Sequence, residues 1–233
     1  MGHLTRWAGT FAAISVALPL GLHAQEPRPT IAVLPFENGG SYGQDKENFD
    51  ALEVGLSATL AATLAAHPGI RIVGGGAVRE ALSAQQLGSR RIDAASATQV
   101  AKAAGARYAV TGSFADFYGK FRINARVVDA ESGEILKVVS NDDAKLQDRA
   151  QLGAILQLVS ERVVAAVGLP PLPADAVARR RGVPTEALTE FSRGVMFEAR
   201  GDKASAAEAY RRALAAQPDY ADARDGLVRT GGP

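Results

Sequence analysis

Arg107 to Asn141 reads RYAVTGSFADFYGKFRINARVVDAESGEILKVVSN, three apolar-rich runs separated by two sets of turn residues. Arg107 to Phe117 is a strand, and Tyr118-Gly119-Lys120 is a tight turn. In the next strand Phe121, Ile123, Ala125 and Val127 alternate with Lys120, Arg122, Asn124 and Arg126, the mark of a half-buried strand. Asp129 to Gly133 (DAESG) has turn chemistry, and Glu134 to Asn141 returns as a third strand. Two linked hairpins make an antiparallel meander with one cationic face toward solvent.

Upstream, Thr30 to Phe36 (TIAVLPF) is a nearly continuous apolar run, suited to a strand buried on both faces and ending at Pro35. Glu37 to Gln44 reads as an exposed loop. Phe49, Leu52, Leu56, Leu60 and Leu64 form one apolar stripe on a helix that begins near Lys46 and stops at His67-Pro68-Gly69. Ile70 to Val73 is a short strand, followed by Gly74-Gly75-Gly76 and helices over Ala77–Leu87 and Ser96–Ala104. Downstream, a helix over Lys145–Val167 carries Leu152, Ile155, Leu156, Val159, Val163 and Val167 on the side that covers the sheet. The expected class is α/β: a small mixed sheet with an antiparallel meander and packed helices over residues 25–168, plus a C-terminal helical hairpin.

Residues 169–184, from GLPPLP through Arg179-Arg180-Arg181 to Pro184, read as a mobile linker. The three arginines suit an anion, but a solvated linker is the simpler reading. In residues 185–233, with Ala187 as first position, Gly194, Phe197, Gly201, Ala206, Tyr210, Ala213 and Pro218 fit the roughly 34-residue frame of a tetratricopeptide repeat. Glu190 and Arg193 depart from it, standing where large apolar residues are usual. Repeats of this kind stack, so one unit leaves an apolar face open. Phe197, Tyr210 and Leu214 are the expected protein-binding residues.

Residues 1–24 read as a signal peptide. Arg6 precedes an apolar stretch of about 14 residues, shorter than the roughly 20 needed to span a bilayer, and Leu22-His23-Ala24 is an A-x-A-like cleavage site. The chain has no cysteine, hence neither a disulfide nor a residue for bacterial lipid attachment. Lys+Arg number 26 against 25 Asp+Glu, and loss of Arg6 with the leader makes them equal. That neutrality argues against nucleic acid as partner. No later segment reads as membrane-spanning.

Chemistry-bearing patterns are sparse. His67 is the one histidine left after the leader, beside a proline at a helix end, where a surface or capping role fits better than catalysis. Gly39-Gly40-Ser41-Tyr42-Gly43 matches G-x-S-x-G, but without the strand-to-helix turn around the serine that a nucleophile elbow needs. Gly74-Gly75-Gly76 lacks both P-loop and dinucleotide spacing, and a tight connection is the simpler reading. Asp142-Asp143 with Glu134 has the oxygens for a hard cation, yet carboxylates at a strand end more often serve solubility. No catalytic, cofactor-binding or metal residue is therefore assigned.

TIAVLPFEN, LSATLAATLAAHPGIRIV, AKAAGARYAVTGSFADF and INARVVDAESGEIL lie in order between Thr30 and Val167. This part of the chain resembles the curli-secretion (CsgG-like) family. It is also similar to the wider set with that fold, including TolB amino-terminal-like domains and lipoprotein activators of peptidoglycan synthases. Curli-type channels are lipidated at a cysteine and insert long hairpins into the outer membrane; this chain has no cysteine and a tight turn at Phe117–Phe121. The resemblance thus implies the soluble periplasmic domain without the pore, and brings no catalytic residues. The expected function is a non-enzymatic periplasmic accessory or scaffold in envelope assembly or secretion. Its partners are proteins, envelope or outer-membrane components or a second copy of the chain. A sensory module binding a small ligand is the alternative. N-terminal sequencing of protein recovered from the envelope should begin at Gln25; recovery of the full-length chain in washed membranes would contradict this.

Overall fold

The run Ile31-Ala32-Val33-Leu34 has no polar side chain on either face, so it is stable only between two apolar layers. In the computed structural model, which describes residues 28–41, 45–87, 91–141 and 147–231, it forms the heart of β1 (Thr30–Asn38). Residues 1–24, Asp142-Asp143, Tyr42-Gly43 and the side chains of Arg179 and Arg181 lie outside the described residues. Ile31 and Val33 face α1 (Lys46–Ala65) and α4 (Leu152–Ala166), in one cluster with Leu56, Leu60, Ile155 and Val159. Ala32 and Leu34 face α2 (Gly75–Ala84) and α3 (Ala94–Ala103), against Val78, Leu82 and Val100.

The sheet is mixed. Its order is β2-β1-β3-β4-β5, with β2 (Arg71–Ile72) and β3 (Tyr108–Phe117) parallel to β1. β3, β4 (Lys120–Asp129) and β5 (Ile135–Ser140) form the expected antiparallel meander. The β3–β4 register runs unbroken from Tyr108↔Asp129 to Phe117↔Lys120, which leaves Tyr118 and Gly119 to turn at φ 54° and 86°. Arg122 and Arg126 alternate with buried Phe121, Ile123, Ala125 and Val127, as the spacing predicts. At the outer edge, β5 exposes Ile135, Leu136 and Val138.

Two segments differ from expectation. Of the helix expected over Lys145–Val167, residues 145 and 146 lie outside the described residues, and α4 starts at Leu152, because Gln147-Asp148 form a short strand, β6, against Lys120-Phe121. The cause is Asn141, which is buried. Its Oδ1 accepts from Ile123 N at 2.8 Å, while its Nδ2 donates to Phe121 O at 3.2 Å and to Gln147 Oε1 at 2.8 Å. Three satisfied hydrogen bonds inside the protein hold the chain extended there. The expected mobile linker holds a helix, α5 (Ala174–Arg181), with Leu172, Ala176 and Val183 buried along it. Arg180 reaches Asp222 Oδ1 at 3.1 Å and the Ala62 carbonyl at 3.2 Å. His67 Nδ1 accepts from Gly69 N at 3.0 Å, so Nε2 carries the proton and donates to Pro170 O, also at 3.0 Å. A proline- and arginine-rich segment looks like a linker by composition; its sparse apolar residues and long-range anchors fix it in place.

The C-terminal hairpin, α6 (Thr185–Ala199) and α7 (Lys203–Ala216) followed by α8 (Ala221–Arg229), is docked within the chain. Its apolar residues continue the main cluster. Glu190 and Arg193, off the repeat pattern, pair with each other at 2.7 Å, and Glu190 also takes Arg212 of α7 at 2.7 Å. Among the described residues no helix is long and apolar enough to cross a membrane.

α1 admits α6 because Ala51, Gly55 and Thr59 recur every four residues and are buried on a second, small-residue face. At the crossing, a Cβ added to Gly55 would lie 1.9 Å from Ser192 Oγ and 2.7 Å from Ser192 Cα. Gly55→Val should therefore force the helices apart and cost roughly 2–3 kcal/mol, read from urea unfolding. Ser192→Gly added to Gly55→Ala should recover part of the smaller loss. A silent Gly55→Val would show that the hairpin is not seated on α1.

Candidate functional site

Docking α6 on α1 leaves a cleft of about 420 Å³ between the hairpin and the β2 edge of the sheet. Its floor is α1, through Val54, Ala58 and Ala61. One wall is Val33, Pro35, Ile72 and the segment Val73–Gly76 leading into α2, with Arg79 one turn further on. The other wall is Phe191, Val195 and Glu198 of α6, with Asp225 and Arg229 of α8. A concave site of a few hundred Å³, mostly apolar with a few convergent polar groups, is the usual form of a binding pocket.

The hairpin wall is held by Tyr210 of α7. Its ring is fully buried between two helices that approach through glycine: a Cβ on Gly194 or on Gly226 would fall 2.4 Å or 2.5 Å from ring atoms. Phe191 packs on it at 5.9 Å between centroids. The phenol donates to Glu198 Oε2 at 2.7 Å, and Arg229 donates to both oxygens of that carboxylate at 3.0 and 3.2 Å. Burial pushes the Glu198 carboxyl up. The Arg229 and Tyr210 hydrogen bonds, with the charges of Arg229 and Arg79, outweigh that and hold it below its ordinary value. Burial first, then the neighbouring carboxylate, pushes the Tyr210 phenol up.

Two charged groups of the cleft lack a direct contact, although the Arg79 charge also acts on Glu198. Arg79 on the α2 wall and Asp225 on the α8 wall are exposed and form no hydrogen bond or ion pair among the described residues. Pairing these walls requires the hairpin to fold back across roughly 150 residues of sequence, and no local spacing signals that. Of the sequence candidates, only Gly74-Gly75-Gly76 lines the cleft. Tyr210 fills the hairpin interior and has no free surface, while Phe197 and Leu214 are half-buried against the main core. Ser41 locks a turn: its N–H donates to Asn38 Oδ1 at 2.9 Å and its Oγ accepts from Asp116 N at 3.1 Å. Glu134 is exposed, and among the described residues no cluster of three His, Cys, Asp or Glu is placed to hold a metal.

No protein-family model matches the chain, and no curated protein matches it. Among solved structures, it is similar to the LpoB C-terminal domain from Escherichia coli at 16% identity, over 52% of this chain and 86% of that one, with a TM-score of 0.39. It is similar to the PelC dodecamer from Paraburkholderia phytofirmans at 15% identity, over 61% and 90%, with a TM-score of 0.37. Lipoprotein GNA1162 from Neisseria meningitidis shares 18% identity, over 58% and 96%, with a TM-score of 0.38. Superpositions this loose decide neither fold nor function. The curli-secretion resemblance and the repeat frame rest on the residues quoted for them.

Because folding depresses the Glu198 carboxyl, the stability it adds is present above its ordinary value of 4.5 and is lost as pH falls through the folded value. Glu198→Gln should lower the urea midpoint at neutral pH and flatten its fall on acidification below about pH 4.5. An unchanged acid limb would place the acid sensitivity elsewhere.

Proposed function

We propose that the chain is an exported, non-enzymatic accessory or scaffold protein of the cell envelope, which holds a protein partner in the cleft between its α/β layer and its helical hairpin. The single observation that carries this is the cleft itself, with its apolar floor and, on each wall, a charged side chain outside any hydrogen bond or ion pair among the described residues. Export follows from the reading of residues 1–24. The hairpin keeps the contacting role expected of it, but through Val195, Glu198 and Asp225 rather than Tyr210, whose ring is enclosed.

Ala58→Trp fills the cleft floor without adding charge. The variant should keep the parent's circular dichroism and lose at least about tenfold in capture of envelope proteins. If it captures the same partners at the same yield, the cleft is not the contact surface. The cleft volume also suits a small ligand, which favours the sensory reading second. Thermal shift against a metabolite library separates the two, since a ligand of the folded state raises apparent stability.

A further inference from the structure

We infer that the occupant of the cleft is an extended peptide segment laid along β1 as an added strand, with an acidic side chain toward Arg79 and a basic one toward Asp225. This rests on the cleft being the partner site. The sheet edge gives the first reason. β2 is two residues long and pairs only with Thr30 and Ile31, whereas β1 runs on to Asn38. Val73 N takes the Ile31 carbonyl at 2.9 Å, after which the chain turns away into α2. Val33, the next residue on the same side of β1, borders the cleft, and so does Pro35, which lies within the register shift between Val33 and Phe36. An incompletely paired strand edge is a template for another strand, and main-chain pairing of this kind is sequence-tolerant. Pro35 has no N–H, so the added register is short and side-chain contacts must supply the remainder.

The floor gives the second reason. Val54, Ala58 and Ala61 leave room above α1, and Phe191 and Val195 flank it. An extended segment sends every second side chain to one face, so its apolar residues enter this floor while the intervening ones reach the rim. Charge gives the third. Arg79 and Asp225 stand on opposite walls and form no hydrogen bond or ion pair among the described residues, while Glu198, which the Arg79 charge also reaches, is already paired with Arg229 at 3.0 Å. A peptide carrying one charge of each sign satisfies both walls; a uniformly charged ligand is repelled by one of them.

The probe is a displayed library of random nonapeptides selected on the full-length mature protein. Enriched peptides are then made synthetically, and their binding is followed by fluorescence anisotropy. The expected sequences alternate apolar residues and carry one acidic and one basic residue. Arg79→Glu and Asp225→Lys, both at exposed positions, should each weaken binding about tenfold, and the double variant should select peptides with the two charges exchanged. N-methylation at one backbone position should cost a similar factor by removing a ladder hydrogen bond. Peptides that bind the charge variants and Ala58→Trp as well as the parent overturn the inference, and so does a library with no enrichment above Ala58→Trp. If native partners still depend on Ala58 while no peptide enriches, the cleft remains the partner site and only the strand-addition reading fails. If Ala58→Trp captures partners normally, the cleft reading fails as well.

Discussion

The structure turns on the place where α6 meets α1. At Gly55 the two backbones come closer than any side chain permits, with Ser192 occupying the space a Cβ would need. Close approach brings Leu188, Phe191 and Ser192 onto a helix already committed, by its leucine stripe, to the sheet. α1 is therefore buried on two faces, and the C-terminal helices share one core with the sheet. A lone helix pair cannot cover its own apolar face and needs a neighbour to stack on. The neighbour here is α1 of the same chain.

The second dependence follows from the first. Once α6 is fixed, α7 and α8 are placed by Tyr210, which lies between Gly194 and Gly226 and ends on the Glu198 carboxylate. Either glycine replaced by a larger residue would meet the ring, so the aromatic and the two glycines act as one unit. The outer wall of the cleft is thus set from inside the hairpin. Its charged rim is held by the same group, since Glu198 takes the Tyr210 hydroxyl and the Arg229 guanidinium together.

How much of this was legible in the sequence depends on range. The meander was, because alternation from Phe121 to Val127 and the turn at Tyr118-Gly119 are local signals with a period of two. The leucine stripe of α1 was too, since Phe49, Leu52, Leu56, Leu60 and Leu64 are all buried. The second face of α1 was not. Ala51, Gly55 and Thr59 are small or polar, and nothing in their spacing distinguishes a helix-packing groove from solvent exposure. β6 was missed because it depends on one buried asparagine, Asn141, hydrogen-bonding across strands. The 169–184 segment misled through composition, since its few apolar residues carry no period.

The same reasoning explains why the enclosure of Tyr210 was not legible in the sequence. A sequence frame ranks Tyr210 as a large apolar residue on an unpaired unit, and burial against a partner is the natural inference. What it cannot rank is the sequence-distant glycine at 226, which belongs to the following helix and closes over the ring. The cleft lies instead where distant segments converge: the β1 edge past Ile31, the approach to α2, and the exposed side of α8. Each is unremarkable alone. Gly74-Gly76 reads as a connection, Arg79 as a solvated helix residue, and Asp225 as one more charge near the C-terminus. They come to line one cleft only because the Gly55 crossing draws α6, and α8 with it, across α1 to face the sheet edge.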